Sequence, residues 1–418
     1  MNKLDFENWL DQIKSYGIKP GLSRVKELLN RLDNPQNKLD IIHITGTNGK
    51  GTTATVLTNI LRKADYKVGQ FSTPSIISFN HMFDIHGPIS DERLFELSAR
   101  IKSLCEDMLS DGLEYPTEYE IIAAIMYLYF YEEHVDFAVV EVAMGGENDC
   151  TNVMDFSILS IITPISLDHT GFLGDTVLDI AKEKSGVIKN NSALIMHPQL
   201  KDVEDFLRAD CQRKMALVKS FDPDVICSYD ELMSFSYKGL KLQTRLMGKH
   251  QAANIIGVLE AVHYLNVKGY TSVSNDHMLE GVLETGFEGR FERIDQWILD
   301  GAHNHESLMA LKDVLESLNL YDLVGVFGAL RDKTIDEALM ALRGHFRRVI
   351  LTEPNSFRKL DVELLKEKFE SLGYDNLRVS RSIEDAYIQA EKISGTKLGF
   401  GSFYMIGDLR RYIKNDTR

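Results

Sequence analysis

The stretch that most constrains the fold of this chain is "LDIIHITGTNGKGTTATVLTNILRKA", residues 39–64. A short apolar run leads into a glycine-rich turn, and apolar residues then recur at helical spacing. A strand, turn and helix in this order aim backbone N–H groups and the positive end of the helix dipole at an anion. The familiar phosphate-loop signature has four residues before its Gly-Lys pair, whereas only two separate Gly46 from Gly49 and Lys50. The stretch predicts a phosphate-binding loop of unusual spacing, with a plain turn and a solvated lysine as the alternative.

Similar alternation continues along most of the chain. Three apolar runs predict buried strands: "VDFAVVEVAM" (135–144), "FSILSIITPI" (156–165) and "SALIMHP" (192–198). Between the last two, "TVLDIAKEKSGVIK" (176–189) predicts a helix. This order predicts an α/β fold with a mostly parallel sheet.

The pattern changes at "FSYKGLKLQTRL" (235–246), which predicts an antiparallel hairpin about a Lys-Gly turn. After a predicted helix, "HQAANIIGVLEAVHYL", the α/β alternation restarts with the predicted strands "QWILDG", "DLVGVFGAL", "RRVILTEP", "LRVS" and "GSFYMIG". A chain of 418 residues is too long for one hydrophobic core. We predict an N-terminal P-loop-type ATPase domain over residues 1–290 and a smaller, Rossmann-like α/β domain over 291–418, with the boundary inside 286–296.

The composition excludes several classes of partner. The formal charge of -15, from 62 acidic and 47 basic residues, argues against nucleic acid and anionic membranes, because both require a positive surface. The longest apolar run, "IIAAIMYLYFY" (121–131), is too short to span a bilayer and predicts a buried helix. The acidic start of the chain is unlike a signal peptide. Four widely spaced cysteines predict free thiols, so we expect a cytoplasmic protein.

Polar residues cluster where the predicted strands end. Lys50 can meet a phosphate, and the hydroxyl of Thr52 can reach Mg²⁺. Glu141 lies in an apolar strand, where an unpaired carboxylate is costly, so a metal or a salt bridge should accompany it. Asp168 and His169 follow the next strand, at the edge where open α/β sheets bind ligands, although a purely structural histidine is the alternative.

A further polar cluster spans the predicted domain boundary. Arg290 could reach a phosphate, and Asp300 could accept the protons of ribose hydroxyls. His303 and Asn304 follow a predicted strand, where a loop enters a helix. Asn254 could bond adenine or a phosphate, or it could be an ordinary amide on a helix surface.

Six motifs resemble one family in their order and spacing: "GTNGKGTT", "EVAMGG" with "DCTN", "SLDHTGFLGDTVLDIAKEKSGVIK", "GKHQAANI", "EGRFERI" and "LDGAHN". The chain resembles the folylpolyglutamate synthases, often bifunctional as dihydrofolate synthases, among the Mur-type ATP-dependent amide ligases. The resemblance extends over almost the entire chain. It implies a monomer that uses ATP to join L-glutamate to the carboxylate of a reduced folate or dihydropteroate, through an acyl phosphate.

The resemblance also implies roles for individual residues. ATP is expected at Gly46, Thr47, Asn48, Gly49, Lys50, Gly51, Thr52, Asn254, Arg290 and Asp300. Two Mg²⁺ ions are expected at Thr52, Thr73, Glu141, His169 and Lys184, with Lys184 carbamylated by CO₂. The folate is expected at Thr117, Tyr119, Glu120, Asn148, Asp149 and Cys150, and glutamate in the C-terminal domain. Lys50, Lys184 and His303 would be the catalytic residues.

The departures from the family pattern all concern the acceptor side. Ser75 replaces a histidine, Glu118 an aromatic residue and Glu147 an arginine, and Met82 lies in an altered segment. The acceptor therefore stays open between a folate, dihydropteroate and another carboxylate such as a cell-wall precursor. Cell-wall ligases usually carry an extra N-terminal domain of about a hundred residues, for which the position of Gly46 leaves no room. A non-catalytic nucleotide switch would not need Glu141 and His169.

Overall fold

The computed structural model describes residues 1–17, 19–74, 77–168, 170–286, 288–331, 335–356 and 358–416. The chain forms two compact units. One consists of Met1–Pro223 and Asn254–Gly281, and the other of Asp224–Ala253 and Val282–Arg418. The predicted division between residues 290 and 291 stays a prediction.

Seven strands of the described part of the first unit form one sheet, in the order β3-β2-β4-β1-β5-β6-β7. Only the β2–β3 pair is antiparallel among these described strands. β1, β4, β5 and β6 are buried at every position, as parallel strands covered on both faces must be. The predicted α/β fold with a mostly parallel sheet is confirmed. The strands are β1 (Ile41–Thr45), β2 (Val68–Phe71), β3 (Phe83–Asp84), β4 (Phe137–Glu141), β5 (Leu159–Ile162), β6 (Ala193–Met196) and β7 (Leu217–Ser220).

Helices precede the first strand and connect the others. They are α1 (Lys3–Lys14), α2 (Ser23–Arg31), α3 (Lys50–Lys63), α4 (Asp91–Ser110), α5 (Glu118–Glu132), α6 (Thr170–Leu173), α7 (Val177–Lys184) and α8 (Lys201–Arg213), with short 3₁₀ turns at Pro35–Lys38, Phe79–Met82 and Ser185–Val187. Residues 120–130 of α5 are all buried, so the predicted buried helix is confirmed. None of the helices in the described ranges is long and apolar enough to cross a membrane.

The predicted hairpin opens the second unit. β8 (Ser228–Tyr229), β9 (Met233–Tyr237) and β10 (Leu240–Thr244) form an antiparallel sheet, and the β9–β10 turn lies at Lys238 and Gly239, which both have positive φ. Helices α9 (Lys249–Val267) and α10 (Asn275–Glu284) follow, and residues 254–281 belong to the first unit.

The second α/β sheet has the order β11-β12-β16-β13-β14-β15, and only β11 runs antiparallel among its described strands. The strands are β11 (Glu292–Ile294), β12 (Trp297–Asp300), β13 (Leu323–Phe327), β14 (Phe346–Leu351), β15 (Leu377–Val379) and β16 (Lys397–Phe400). The helices are α11 (His305–Ser317), α12 (Asp336–Leu342), α13 (Val362–Ser371), α14 (Ile383–Glu391) and α15 (Phe403–Asp416), with a 3₁₀ turn at Arg343–His345. The predicted restart of the α/β alternation is confirmed.

One predicted strand is wrong. "GSFYMIG" contains the start of α15, and the strand of this region is β16, immediately before it. Met405, Ile406, Leu409 and Ile413 are buried, which is the spacing of one helix face. A short apolar run does not distinguish a strand from the first turns of a buried helix.

Candidate active site

The carboxyl ends of four neighbouring strands meet at one edge of the first sheet. These strands are β2, β4, β1 and β5, which are adjacent in that order and parallel. Thr73 follows β2, Glu141 ends β4, Gly46 follows β1 and Asp168 lies beyond β5. Residues from three predicted clusters therefore share the edge where open α/β sheets bind ligands.

The first turn of the predicted phosphate loop is held by the segment after β5. Gly46 has φ of 147°, and a Cβ atom placed on it would lie 1.8 Å from Oγ1 of Thr163. The N–H of Thr47 donates to the carbonyl of Pro164 at 2.9 Å, and its hydroxyl donates to the carbonyl of Ser166 at 3.1 Å. No side chain fits at Gly46, which explains why glycine stands there.

The end of the loop is packed against α9. Gly49 is the N-cap residue of α3 with φ of 90°, and a Cβ atom on it would lie 2.5 Å from Oδ1 of Asn254. The Asn254 residue is buried. The fold thus brings Asn254 to the loop from a distant part of the sequence, and its predicted contact with ATP stays a prediction.

Two lysines converge on one carbonyl of the loop. Nζ of Lys50 donates to the carbonyl oxygens of Gly46 at 3.1 Å and Thr47 at 3.2 Å. Lys184, the last residue of α7, is buried, and its Nζ donates to the same Gly46 oxygen at 2.9 Å. Burial, and after it the charge of Lys50, lowers the pKa of Lys184 to about 7, against the smaller opposing effect of Asp168. Two lysine amines therefore lie next to the loop, where they can bind an anion.

The predicted metal residues supply oxygen atoms at this edge. Thr52 and Glu141 are buried. The hydroxyl of Thr73 is buried and has no hydrogen-bond partner in the described part of the chain. Mg²⁺ prefers oxygen ligands, so these side chains fit the ion, although the described residues contain no cluster of three or more His, Cys, Asp and Glu side chains. His169 lies outside the described residues, as does Ser75.

Asp149 organises the loop after β4. Its carboxylate accepts the N–H groups of Ala143 at 3.1 Å, Met144 at 3.2 Å and Thr151 at 2.8 Å, and the hydroxyl of Thr151 at 2.6 Å. Burial raises the pKa of Asp149, and these hydrogen bonds oppose that rise. The side chain predicted to bind the folate thus holds the loop that carries Asn148 and Cys150.

The start of α5 lies close to this loop. The hydroxyl of Tyr119 is buried close to the main chain of Ala143, which belongs to this loop. Burial raises the pKa of Tyr119 well above its ordinary value, with a further contribution from Asp149. Burial likewise raises the pKa of the Cys150 thiol, again with a contribution from Asp149. Tyr119, Asp149 and Cys150 are therefore close neighbours, as the acceptor-site prediction requires.

Thr117 and Glu120 have a clear structural function. Oε2 of Glu120 accepts the N–H of Thr117 at 2.7 Å and its hydroxyl at 3.0 Å, which caps α5. The same oxygen accepts Nε of Arg24 at 3.1 Å in a buried ion pair. Arg24 was not predicted from the sequence, because it lies 96 positions from its partner.

In the second unit, Arg290 and His303 lie against the ring of Phe403, and Asp300 lies near Arg290. The Arg290 guanidinium lies 4.4 Å from the centre of the Phe403 ring, and the His303 ring meets that ring edge-on at 5.8 Å. Asp300 accepts the N–H groups of Phe291 at 2.9 Å and Ala302 at 2.8 Å. Burial raises the pKa of Asp300, and Arg290 opposes the rise. The three predicted residues form one cluster at the end of β12.

Comparison with known proteins decides the family. The model of the Mur ligase middle domain matches residues 44–262, and that of the Mur ligase glutamate ligase domain matches residues 289–396. The dihydrofolate synthase/folylpolyglutamate synthase of Bacillus subtilis is 32% identical over 98% of this chain and 99% of its own length. The chain belongs to the dihydrofolate synthase/folylpolyglutamate synthase family of Mur ligases. The resemblance inferred from the six motifs is confirmed.

Other members of the family agree in extent and fold. The folylpolyglutamate synthase of Lacticaseibacillus casei is 30% identical over 77% of each chain. The folylpolyglutamate synthase of Mycobacterium tuberculosis, solved with ADP and AMPPCP, has a TM-score of 0.88 at 29% identity and covers 98% of both chains. The two-domain α/β fold of the family is therefore the fold of this chain.

The structure also contains site residues that sequence reasoning missed. Thr163 and Ser166 anchor the phosphate loop. Glu183 accepts the N–H of Asn148 at 3.0 Å and so links α7 to the loop after β4. The adjoining position, Lys184, was found only through the family motif, because its composition is that of any helical lysine.

Proposed function

We propose that this protein joins L-glutamate to the carboxylate of a folate at the expense of ATP. The enzyme is an ATP-dependent acid–amino-acid ligase, in keeping with its family. The observation that carries the proposal is the phosphate loop with Lys50 and Lys184 on a single carbonyl, at the sheet edge that also holds Glu141. A Mur-type ligase acting on a cell-wall precursor is not favoured, since relatives that match over three quarters or more of the chain are folate enzymes.

The chemistry follows from the weakness of a carboxylate as an electrophile. A carboxylate oxygen of the folate attacks the γ-phosphorus of ATP, and the bond to ADP breaks. The amine of glutamate then attacks the carbonyl carbon of the acyl phosphate, loses a proton and displaces phosphate. Both steps need reactants held in line and their negative charge neutralised.

The residues of the first unit suit the nucleotide part of this reaction. The first turn of α3, which begins at Lys50, can face an anion with its N–H groups, and Lys50 can move from the loop carbonyls to the phosphates. Asn254 is held at the end of the same loop. In the second unit we assign Arg290 and Asp300 to ATP and His303 to the reacting groups. We assign glutamate to the same C-terminal domain, residues 291–418.

The metal assignment rests on the oxygen atoms at the sheet edge. Thr52, Thr73 and Glu141 would hold Mg²⁺, together with His169, and bound there the ions neutralise charge on the transferring phosphoryl group. Lys184 is buried beside this edge, where its unprotonated amine can add to CO₂ and lose a proton. The resulting carbamate would supply a negatively charged oxygen ligand if the second ion is bound there.

The acceptor assignment rests on the neighbourhood of Tyr119. Its ring lies at the start of α5 beside Asp149 and Cys150, and can stack on a planar pterin. The thiols of the four cysteines are free, which suits the cytoplasm, where we place the reaction. We also propose that the protein acts as a monomer.

Phosphate release tests the proposed function. Purified protein with ATP and Mg²⁺ should release phosphate only when glutamate and a reduced folate are both present. Dihydropteroate and a cell-wall precursor serve as alternative acceptors in parallel reactions. Turnover with dihydropteroate as well would make the enzyme bifunctional, whereas turnover with the cell-wall precursor alone would refute the folate assignment.

A further inference from the structure

Beneath α9 lies a histidine whose ring makes no described hydrogen bond. His197 follows β6 and is fully buried, and neither of its ring nitrogens has a hydrogen-bond partner among the described residues. Burial lowers its pKa to about 3, so the ring is neutral near pH 7. A buried imidazole normally has a hydrogen-bond partner. A ring without one contributes to the structure by packing against its neighbours.

The shape of the ring is matched by a glycine on α9. A Cβ atom on Gly257 would lie 2.3 Å from Nε2 of His197 and 3.0 Å from Cζ of Phe221. The rings of His197 and Phe221 meet edge-on, with their centres 4.9 Å apart. A glycine inside a helix destabilises it relative to alanine, so this close approach supplies the reason for its presence.

Gly257 lies one helical turn beyond Asn254, on the same face of α9. Asn254 in turn rests on Gly49 of the phosphate loop, with Oδ1 2.5 Å from the position of a Cβ atom on that glycine. The helix is therefore held to the sheet edge by two close contacts, each of which requires a glycine.

The main chain beneath these contacts is itself fixed to β5. The N–H of His197 donates to the carbonyl of Ile162 at 3.0 Å. The side-chain amide of Gln199 donates through Nε2 to the carbonyl of Thr163 at 3.1 Å. Its Oε1 accepts the N–H of Ile165 at 3.0 Å. Thr163 also packs on Gly46. The segment that carries the His197 ring and the phosphate loop are therefore both held by the residues that follow β5.

We propose that His197 and Gly257 form a packing joint that positions Asn254 at the phosphate loop, and that His197 is thereby a positioning residue for nucleotide binding. The inference rests on the proposed function, in which Asn254 contacts ATP. The ring acts through its volume: it sets how closely α9 approaches the sheet edge, and it does not touch the nucleotide.

A double-mutant cycle measured by ADP binding tests the joint. Gly257→Ala should raise the Kd for ADP by about tenfold or more, because the added methyl group pushes α9 from the ring. His197→Ala makes room for that methyl group, so the double variant should bind ADP within about threefold of His197→Ala alone. The KM for the reduced folate should change by less than about twofold in all three variants.

Gly69→Ala is the matched control. A Cβ atom there would lie 2.7 Å from Cδ1 of Phe130, a comparable clash in the same unit between β2 and α5. This variant should lower Tm and leave the Kd for ADP within about twofold of wild type. An unchanged Kd for Gly257→Ala, or a double variant that binds no better than Gly257→Ala, would overturn the inference.

A second comparison applies if Gly257→Ala does not yield folded protein. His197→Ala should then raise the Kd for ADP by about threefold or more, and His197→Leu, which refills the space without nitrogen atoms, should restore it. Equal Kd values for ADP in both variants and in the wild type would overturn the inference that His197 positions Asn254. Failure of the wild-type protein to bind ADP would instead refute the proposed function, so the two failures are distinguishable.

Discussion

Replacing Lys184 by alanine should reduce turnover by about a thousandfold, the scale of losing several kcal/mol of charge stabilisation at a metal site. The proposed carbamate is the only route by which this side chain supplies a negative oxygen ligand to the second ion. Lys184→Arg keeps the positive charge but cannot form the carbamate, so it should be equally impaired. Steady-state phosphate release with saturating folate and glutamate measures the loss.

Two controls separate the carbamate from a general effect on α7. Lys182 lies on the same helix, is exposed and pairs with Asp179 at 3.0 Å, so Lys182→Ala should retain nearly full activity. Acetate or formate should partly restore Lys184→Ala by occupying the position of the lost carboxylate. Near-wild-type rates for Lys184→Ala without such anions would refute the metal-bridging function.

Replacing Gly46 by alanine should abolish nucleotide binding and lower the free energy of unfolding by about 3 kcal/mol. The added Cβ atom meets Oγ1 of Thr163 at 1.8 Å, and the φ of 147° is strained for any other residue. The first turn of the loop must therefore move away from the segment after β5. Chemical denaturation measures the stability, and titration with ADP measures binding.

Gly344→Ala controls for the change from glycine to alanine. A Cβ atom there meets no atom within 4 Å among the described residues, and its φ lies outside the left-handed region. This variant should retain wild-type stability to within about 0.5 kcal/mol. Wild-type ADP affinity in Gly46→Ala would contradict the close approach to Thr163.

The sequence predicted the elements whose burial imposes a regular pattern. The strands around Ile44, Val139 and Ile161 are β-branched and buried on both faces, and the run from Ile121 to Phe130 is buried along its whole length. The phosphate loop was predicted from local chemistry, because strand, glycines, lysine and helix are contiguous. The start of α15 was misassigned, since its apolar residues form a run too short to show a period.

Contacts between distant segments could not be predicted in the same way. Nothing local connects Arg24 to Glu120, Thr163 to Gly46 or His197 to Gly257, because the fold alone brings them together. The interior glycine of α9 was the one available signal, since such a residue usually marks a close approach. The composition around Lys184 did not distinguish this residue from a surface lysine, because its burial against the carbonyl of Gly46 is a property of the tertiary structure.

The central claim is that ATP activates a folate carboxylate for attack by glutamate, and oxygen transfer tests it most directly. A reduced folate labelled with heavy oxygen in its glutamate carboxylates is incubated with the enzyme, ATP, Mg²⁺ and unlabelled glutamate. The phosphate released is then analysed by mass spectrometry. We predict one heavy oxygen in each phosphate formed from the doubly labelled carboxylate, because that oxygen attacks the γ-phosphorus. Unlabelled phosphate accompanying normal product formation would contradict the account.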